Sequence, residues 1–136
     1  MFFYSYSKKI FYKDIDQMGL VYYSRYFEFF EEARTELLEN MEVKVTAIED
    51  LGYFLPVISA KCDYKEGAKL EDVIIVKTAL QPIIGIKLKI IYEIYRKSDN
   101  HLLVTGHTLH VFTDKKGTPK RPPKFFIEKF KLISDD

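Results

Sequence analysis

Only one stretch of this chain has the pattern of a long helix, and most of the chain beyond it reads as strand. Across residues 23–41, Tyr26, Phe30, Ala33, Leu37 and Met41 recur at three- and four-residue spacing, which lines them along one face of a helix. Glu28, Glu31, Glu32, Glu36 and Glu39 occupy the other faces, several of them early enough to suit the positive end of the helix dipole. Such a helix is about 28 Å long at about 1.5 Å per residue. It has to bury its stripe, and the partner the rest of the chain offers is a sheet.

The strand candidates are residues 4–13, 53–64, 70–80, 84–95 and 102–113. The fourth has the clearest pattern: Ile84, Ile86, Leu88, Ile90, Tyr92 and Ile94 alternate with Gly85, Lys87, Lys89 and Glu93, as a half-buried strand requires. Turn signals separate the later strands, at Lys65-Glu66-Gly67, Gln81-Pro82, Ser98-Asp99-Asn100 and residues 114–119. Connections this short imply antiparallel hairpins, because parallel pairs need long crossovers. A second, short helix is expected over residues 43–51, stopped by Gly52. Residues 120–136 form a basic, proline-containing tail with a short helix from Pro123 onward. The expected fold is α+β, an antiparallel sheet of about five strands wrapped around one long helix, in a single domain spanning 1–136. One helix cannot cover so wide a sheet, and the leftover apolar surface and open strand edge favour a homo-oligomer.

Composition excludes several roles. Twenty-one basic residues against twenty acidic ones leave a net charge of +1, which gives no argument for nucleic acid or an anionic membrane as partner. Charges interrupt every apolar stretch, so no membrane span is expected, and no basic segment followed by an apolar run marks a signal peptide. Cys62 is the single cysteine, which precludes an internal disulfide and fits a reducing cytoplasm. Cys62 itself reads as a small buried apolar residue rather than a nucleophile. His107 and His110 are three apart on a strand and point to opposite faces, and His101 lies in a turn, so no shared metal site is expected.

Between the first strand and the helix stands the run Asp14 to Phe30, D-I-D-Q-M-G-L-V-Y-Y-S-R-Y-F-E-F-F. Asp14 and Asp16 close a strand-like segment, Gly19 permits a sharp turn, and an aromatic-rich helix starts almost at once. An acid is thereby placed beside a helix N-terminus, where free backbone N–H groups and the helix dipole favour developing negative charge. A general base or nucleophile next to an oxyanion site is a hydrolase-like arrangement. The plainer reading is that both are turn residues, since Asp is common in turns. A D-x-D run also occurs in magnesium-dependent phosphotransfer hydrolases, but the threonine expected after Gly19 is missing and the chain is short for such a fold.

The segment Y-K-D-I-D-Q-M-G-L-V-Y-Y-S-R-Y-F-E-F-F-E-E-A-R-T-E-L-L, Tyr12 to Leu38, resembles the signature of the 4-hydroxybenzoyl-CoA thioesterase family, which includes bacterial acyl-CoA thioesterases. The strand order and basic tail agree, so the resemblance spans nearly the whole chain. It implies a hotdog fold assembled as a homodimer or homotetramer, hydrolysing acyl-CoA, or an acyl group on a carrier protein, without metal or organic cofactor. By the resemblance the catalytic aspartate falls on Asp16, and the backbone N–H that polarises the thioester carbonyl falls on Tyr23. Gly19 shapes the turn, Tyr26 and its neighbours line the acyl pocket, and Lys120, Arg121 and Lys124 meet the CoA phosphates. The commonest acyl-CoA pattern carries histidine and asparagine where this chain has Tyr23 and Arg25; tyrosine there resembles the hydroxybenzoyl-CoA enzymes. The alternative implied is a non-catalytic hotdog domain that binds an acyl ligand or partner protein.

Overall fold

The apolar stripe turns inward as expected: along α1 (Arg25–Asn40), Tyr26, Phe30, Ala33 and Leu37 are buried, as is Met41 just beyond it. The computed structural model describes residues 1–134, so Asp135 and Asp136 of the expected tail lie outside the described residues. The strands are β1 (Phe2–Lys9), β2 (Val57–Tyr64), β3 (Val73–Leu80), β4 (Lys87–Arg96) and β5 (His101–Val111). A short helix α2 (Val45–Asp50) precedes β2, with Gly52 just after it at φ +87°, and α3 (Lys124–Ile133) follows the sheet. All strand neighbours are antiparallel, in the order β1-β3-β4-β5-β2. This is the hotdog arrangement, a sheet curled around a central helix, and α+β in class. Leu88, Ile90, Tyr92 and Ile94 of β4 are buried together with the α1 stripe.

Several boundaries and one connection differ from expectation, each for a local reason. Lys65-Glu66-Gly67 does not close a hairpin. β2 lies at the sheet edge beside β5, whereas β3 lies between β1 and β4. The crossing segment is tied instead to the turn before α1: Val21 N–H donates to the Ala68 carbonyl at 2.9 Å, and Ala68 N–H donates to the Tyr26 hydroxyl at 3.1 Å. β1 stops at Lys9 because Asp14 Oδ2 accepts from the Phe11 N–H at 3.0 Å and draws Tyr12–Asp14 into a 3₁₀ turn. Asp14 and Asp16 therefore share no strand face. β4 starts at Lys87 because Ile84 and Lys87 close a tight turn on Gly85, whose φ is +64°. β2 starts only after Pro56, which has no N–H to give to a ladder.

One close approach sets the spacing of helix and sheet. The Phe30 ring stacks on Tyr92 with centroids 4.2 Å apart and planes 10° apart. Beside it, β5 offers only the backbone of Gly106. A Cβ there would stand 2.8 Å from the Phe30 ring and 2.4 Å from the Lys61 carbonyl of the neighbouring strand.

A buried chain of hydrogen bonds runs across the same core. Leu55 O can only accept, so His110 Nδ1 carries the proton and donates to it at 3.0 Å. His110 Nε2 then accepts from the Thr108 hydroxyl at 2.9 Å. Thr108 Oγ1 accepts from the Tyr92 hydroxyl at 2.7 Å, and Tyr92 Oη accepts from Arg34 Nη1 at 3.3 Å. Burial, with the Arg34 charge in support, pushes the His110 pKa down to about 4.

Two measurements check these packing relations. Gly106→Ala is expected to cost about 1–3 kcal/mol by overpacking, read as a lower urea midpoint; an unchanged midpoint would mean that helix and sheet separate freely. Neutral His110 contributes its full share above about pH 6.5, where the unfolded chain is neutral too. As pH falls toward 4, the unfolded chain takes up a proton that the folded chain refuses, so stability falls. The loss attributable to His110 approaches about 3 kcal/mol. Denaturant titrations at pH 7 and pH 4.5 should show His110→Gln losing less than the parent; equal losses would place the dependence elsewhere.

Candidate active site

Asp16 stands in a tight loop whose backbone closes on it. Its N–H donates to the Leu20 carbonyl at 2.8 Å, and its own carbonyl accepts from the Gly19 N–H at 3.1 Å. Its side-chain Oδ1 accepts from the Met18 and Leu20 N–H groups, at 2.8 and 3.2 Å. These bonds require the chain to reverse within three residues, and Gly19 supplies the reversal at φ +79°. Oδ2 has no partner among the described residues. Asp14 behaves differently: it is buried, its carboxylate holds the Phe11 N–H, and its carbonyl accepts from Tyr22 N–H at 3.0 Å. It supports the turn rather than facing the cleft.

Asp16, Tyr22, Tyr23, Tyr26, Tyr64 and Gly67 are among the residues lining a cleft of about 380 Å³. Tyr23 precedes α1 by two residues, so the helix begins slightly later than its apolar pattern predicts. Its N–H donates to no group among the described residues, while the Tyr22 carbonyl of the same peptide is fixed by the Arg25 N–H at 2.9 Å. Tyr26 is buried in the cleft floor, its hydroxyl holding the crossing segment at Ala68. Arg25 makes a bridge of 2.9 Å to Glu28 and donates to the Lys13 carbonyl, as a helix-face arginine does. The Tyr22 phenol is held above its ordinary pKa, first by the adjoining Tyr23 phenol and in smaller part by the Asp16 charge.

Tyr64, which carries no mark in the sequence, belongs to this site. From the end of β2 its hydroxyl donates to the Tyr23 carbonyl at 3.0 Å, and its ring lies 5.6 Å from that of Tyr26. Desolvation first, and then the neighbouring Cys62 thiol, push its pKa up to about 12, so it remains a donor. The partners are 41 residues apart, and no local pattern announces the bond. Cys62 is half-buried, its thiol also raised by burial.

The basic tail lies elsewhere. Lys120 N–H donates to the Phe112 carbonyl at the end of β5, and its ammonium sits 3.9 Å from the Tyr53 ring centre. Arg121 and Lys124 are exposed and line a separate cleft with Tyr53, Ile86 and Phe125. The Asp16 cleft adjoins the other end of β5, where Lys65 N–H donates to Leu103 O at 2.8 Å. Leu103 and Phe112 are about 30 Å apart along an extended strand. One chain therefore does not bring Asp16 and the basic cluster together. No group of three or more His, Cys, Asp or Glu residues is arranged to hold a metal among the described residues, and no helix there is long and apolar enough to cross a membrane.

Comparison with known proteins matches residues 12–130 to the Thioesterase-like superfamily. The acyl-CoA thioesterase YbgC of Haemophilus influenzae is 33% identical over 109 residues, covering 79% of this chain and 78% of its own. The acyl-CoA thioester hydrolase YbgC of Escherichia coli O6:H1 is 29% identical over 90% of this chain and 92% of its own. A crystal structure of a 1,4-dihydroxy-2-naphthoyl-CoA thioesterase from Synechocystis superposes with a TM-score of 0.89 at 19% identity, over 98% of this chain and 99% of that one.

The turn gives a clean test of its geometry. No atom lies within 4 Å of a Cβ added at Gly19, so a substitution there acts through the backbone alone. Gly19→Ala should cost about 1–2 kcal/mol in thermal unfolding, and Gly19→Asn, which tolerates positive φ, should cost less. Equal melting temperatures for all three proteins would show that the turn relaxes without strain.

Proposed function

Given that this chain belongs to the Thioesterase-like superfamily, and is on that ground a thioester hydrolase, we propose that it hydrolyses acyl-CoA, with Asp16 as base or nucleophile and the Tyr23 N–H as the oxyanion donor. The observation that carries this is the meeting of Asp16, with one oxygen unclaimed, and Tyr23, with an unclaimed N–H, in one cleft. The names of the YbgC relatives support CoA as the acyl carrier.

The chemistry follows from these two groups. Attack on the thioester carbonyl carbon moves an electron pair onto the carbonyl oxygen, and an N–H already fixed in place stabilises that charge without reorganisation. The pair then returns and expels the CoA thiolate. Asp16 either takes a proton from the attacking water, or itself forms a mixed anhydride that water opens. Tyr23 stands where many acyl-CoA relatives carry histidine, so in this chain proton transfer falls to the carboxylate. Tyrosine at this position, in a cleft lined by further tyrosines, favours the hydroxybenzoyl-CoA branch of the family.

The tail reaches the substrate through a second copy of the chain. β2 is an edge strand, exposed along most of its length. Pairing it antiparallel with its twin sets the Tyr64 end of one copy against the Val57 end of the other. That brings the partner copy's basic tail to the cleft of Asp16. Lys120 is committed to Tyr53, so Arg121 and Lys124 are the free cations that meet the CoA phosphates.

Two experiments check this reading. Asp16→Asn, verified as folded by circular dichroism, should lower kcat by about 10² to 10⁴ on the best of a panel of aliphatic and aromatic acyl-CoAs. KM should change far less, since the pocket survives. Asp14→Asn should act on stability rather than turnover. Wild-type turnover in Asp16→Asn would place the catalytic group elsewhere, and no turnover by the parent on any thioester of the panel would leave the acyl-binding, non-catalytic reading in its place. For the shared site, Arg121→Ala with Lys124→Ala should raise KM for acyl-CoA but not for a short thioester lacking the nucleotide, and added salt should shrink the difference. Light scattering should show no stable monomer, and mixing this double variant with Asp16→Asn should restore part of the activity. A monomer that is fully active, or mixing without recovery, would refute the shared site.

A further inference from the structure

A second cavity, of about 140 Å³, opens between α1, α2 and β4. It shares no lining residue with the Asp16 cleft. It lies near Arg34, about 14 Å along α1 from the first residue of the helix. Leu38, Val45, Ile48, Leu55 and Leu88 give it apolar wall, beside polar groups of Glu31, Thr35, Glu49 and His110. The Arg34 guanidinium enters between them.

Arg34 is half-buried, makes one hydrogen bond, to Tyr92 Oη at 3.3 Å, and bridges to no carboxylate among the described residues. Half-burial removes part of the water around the guanidinium, and four of its five donors have no protein acceptor among the described residues. The nearby polar groups cannot supply the missing charge. The Tyr92, Thr108 and His110 side chains are satisfied by one another and by Leu55. Glu31 and Glu49 line the cavity too, but both side chains are exposed and neither bridges to Arg34. Acidic groups at the rim disfavour phosphate and other multiply charged anions, while the positive charge between apolar walls suits one small singly charged anion with a hydrocarbon tail.

We propose that this cavity binds a short aliphatic monocarboxylate, its carboxylate paired with the Arg34 fork and its carbons against Leu38, Ile48 and Leu55. A cavity of about 150 Å³ takes benzene, with its six heavy atoms, and butyrate has the same number. A planar guanidinium matches a carboxylate through two parallel hydrogen bonds. The site does not depend on the reaction assigned to Asp16. If that reaction also accepts short aliphatic acyl groups, the acid it releases from them belongs to the chemical class bound here.

The test is a titration of the wild-type protein with sodium butyrate, followed by nuclear magnetic resonance, with butan-1-ol, butylamine and inorganic phosphate as comparison ligands. Butyrate should shift the Arg34 Nε–H and the methyls of Val45, Ile48 and Leu55 while the Gly19 amide stays still. Butan-1-ol should bind at least tenfold more weakly, and butylamine and phosphate should leave these signals in place. Arg34→Gln should weaken butyrate at least tenfold, with Arg34→Lys between the two. Butan-1-ol matching butyrate would reduce the cavity to an apolar hole, and butylamine binding better would hand the site to the glutamates. Butyrate shifts confined to the Gly19 region would also overturn the proposal. Should Arg34→Gln fail to fold, the wild-type comparison of butyrate with butan-1-ol decides alone.

Discussion

The contact of the Phe30 ring with the bare backbone of Gly106 governs the rest of the structure. It lets a bulky helix lie close on a curled sheet while the ring stacks on Tyr92. That seat fixes the height of α1 over β4 and β5, and with it the position of the residues that lead into the helix. Tyr26, one turn earlier, then reaches the crossing segment at Ala68, and Tyr64 reaches the Tyr23 carbonyl. The cleft is therefore shaped by packing one helical turn away from it. Rigid interiors transmit such constraints because they contain few voids to absorb a shift.

The helix and the strands were legible because each carries its own period. The stripe from Tyr26 to Met41 and the alternation of Leu88, Ile90, Tyr92 and Ile94 point inward as their spacing predicts. What could not be read was pairing. A turn signal such as Lys65-Glu66-Gly67 marks where a strand stops, and says nothing about which neighbour the next strand chooses. Here the choice is made by contacts with Val21 and Tyr26, more than forty residues upstream in sequence. Gly106 is silent for a similar reason: a glycine in a strand pattern signals a close approach, but not by what.

The site divides in the same way. Asp16, Gly19 and Tyr23 are neighbours in sequence, so the motif and its resemblance single them out together, and Asp16 and Tyr23 line one cleft. The resemblance separates Asp16 from Asp14, and the 3₁₀ turn that buries Asp14 adds a physical difference between them. Tyr64 and the Tyr53 ring under Lys120 come from distant strands and have no sequence mark. The tail was legible as basic, but not as lying at the far end of β5 from the acid. That separation depends on strand order.

The Asp16 turn has one more consequence. A carboxylate is symmetric, and in water its two oxygens exchange places by a simple rotation. Here Oδ1 accepts two backbone N–H bonds, and rotating the group by half a turn would break both before either could reform. The same oxygen atom therefore stays outside the turn's hydrogen bonds. The loop converts an interchangeable pair into one bound oxygen and one left outside the turn, and a glutamate in this place, with one more rotatable bond, would lose that distinction even with its charge intact.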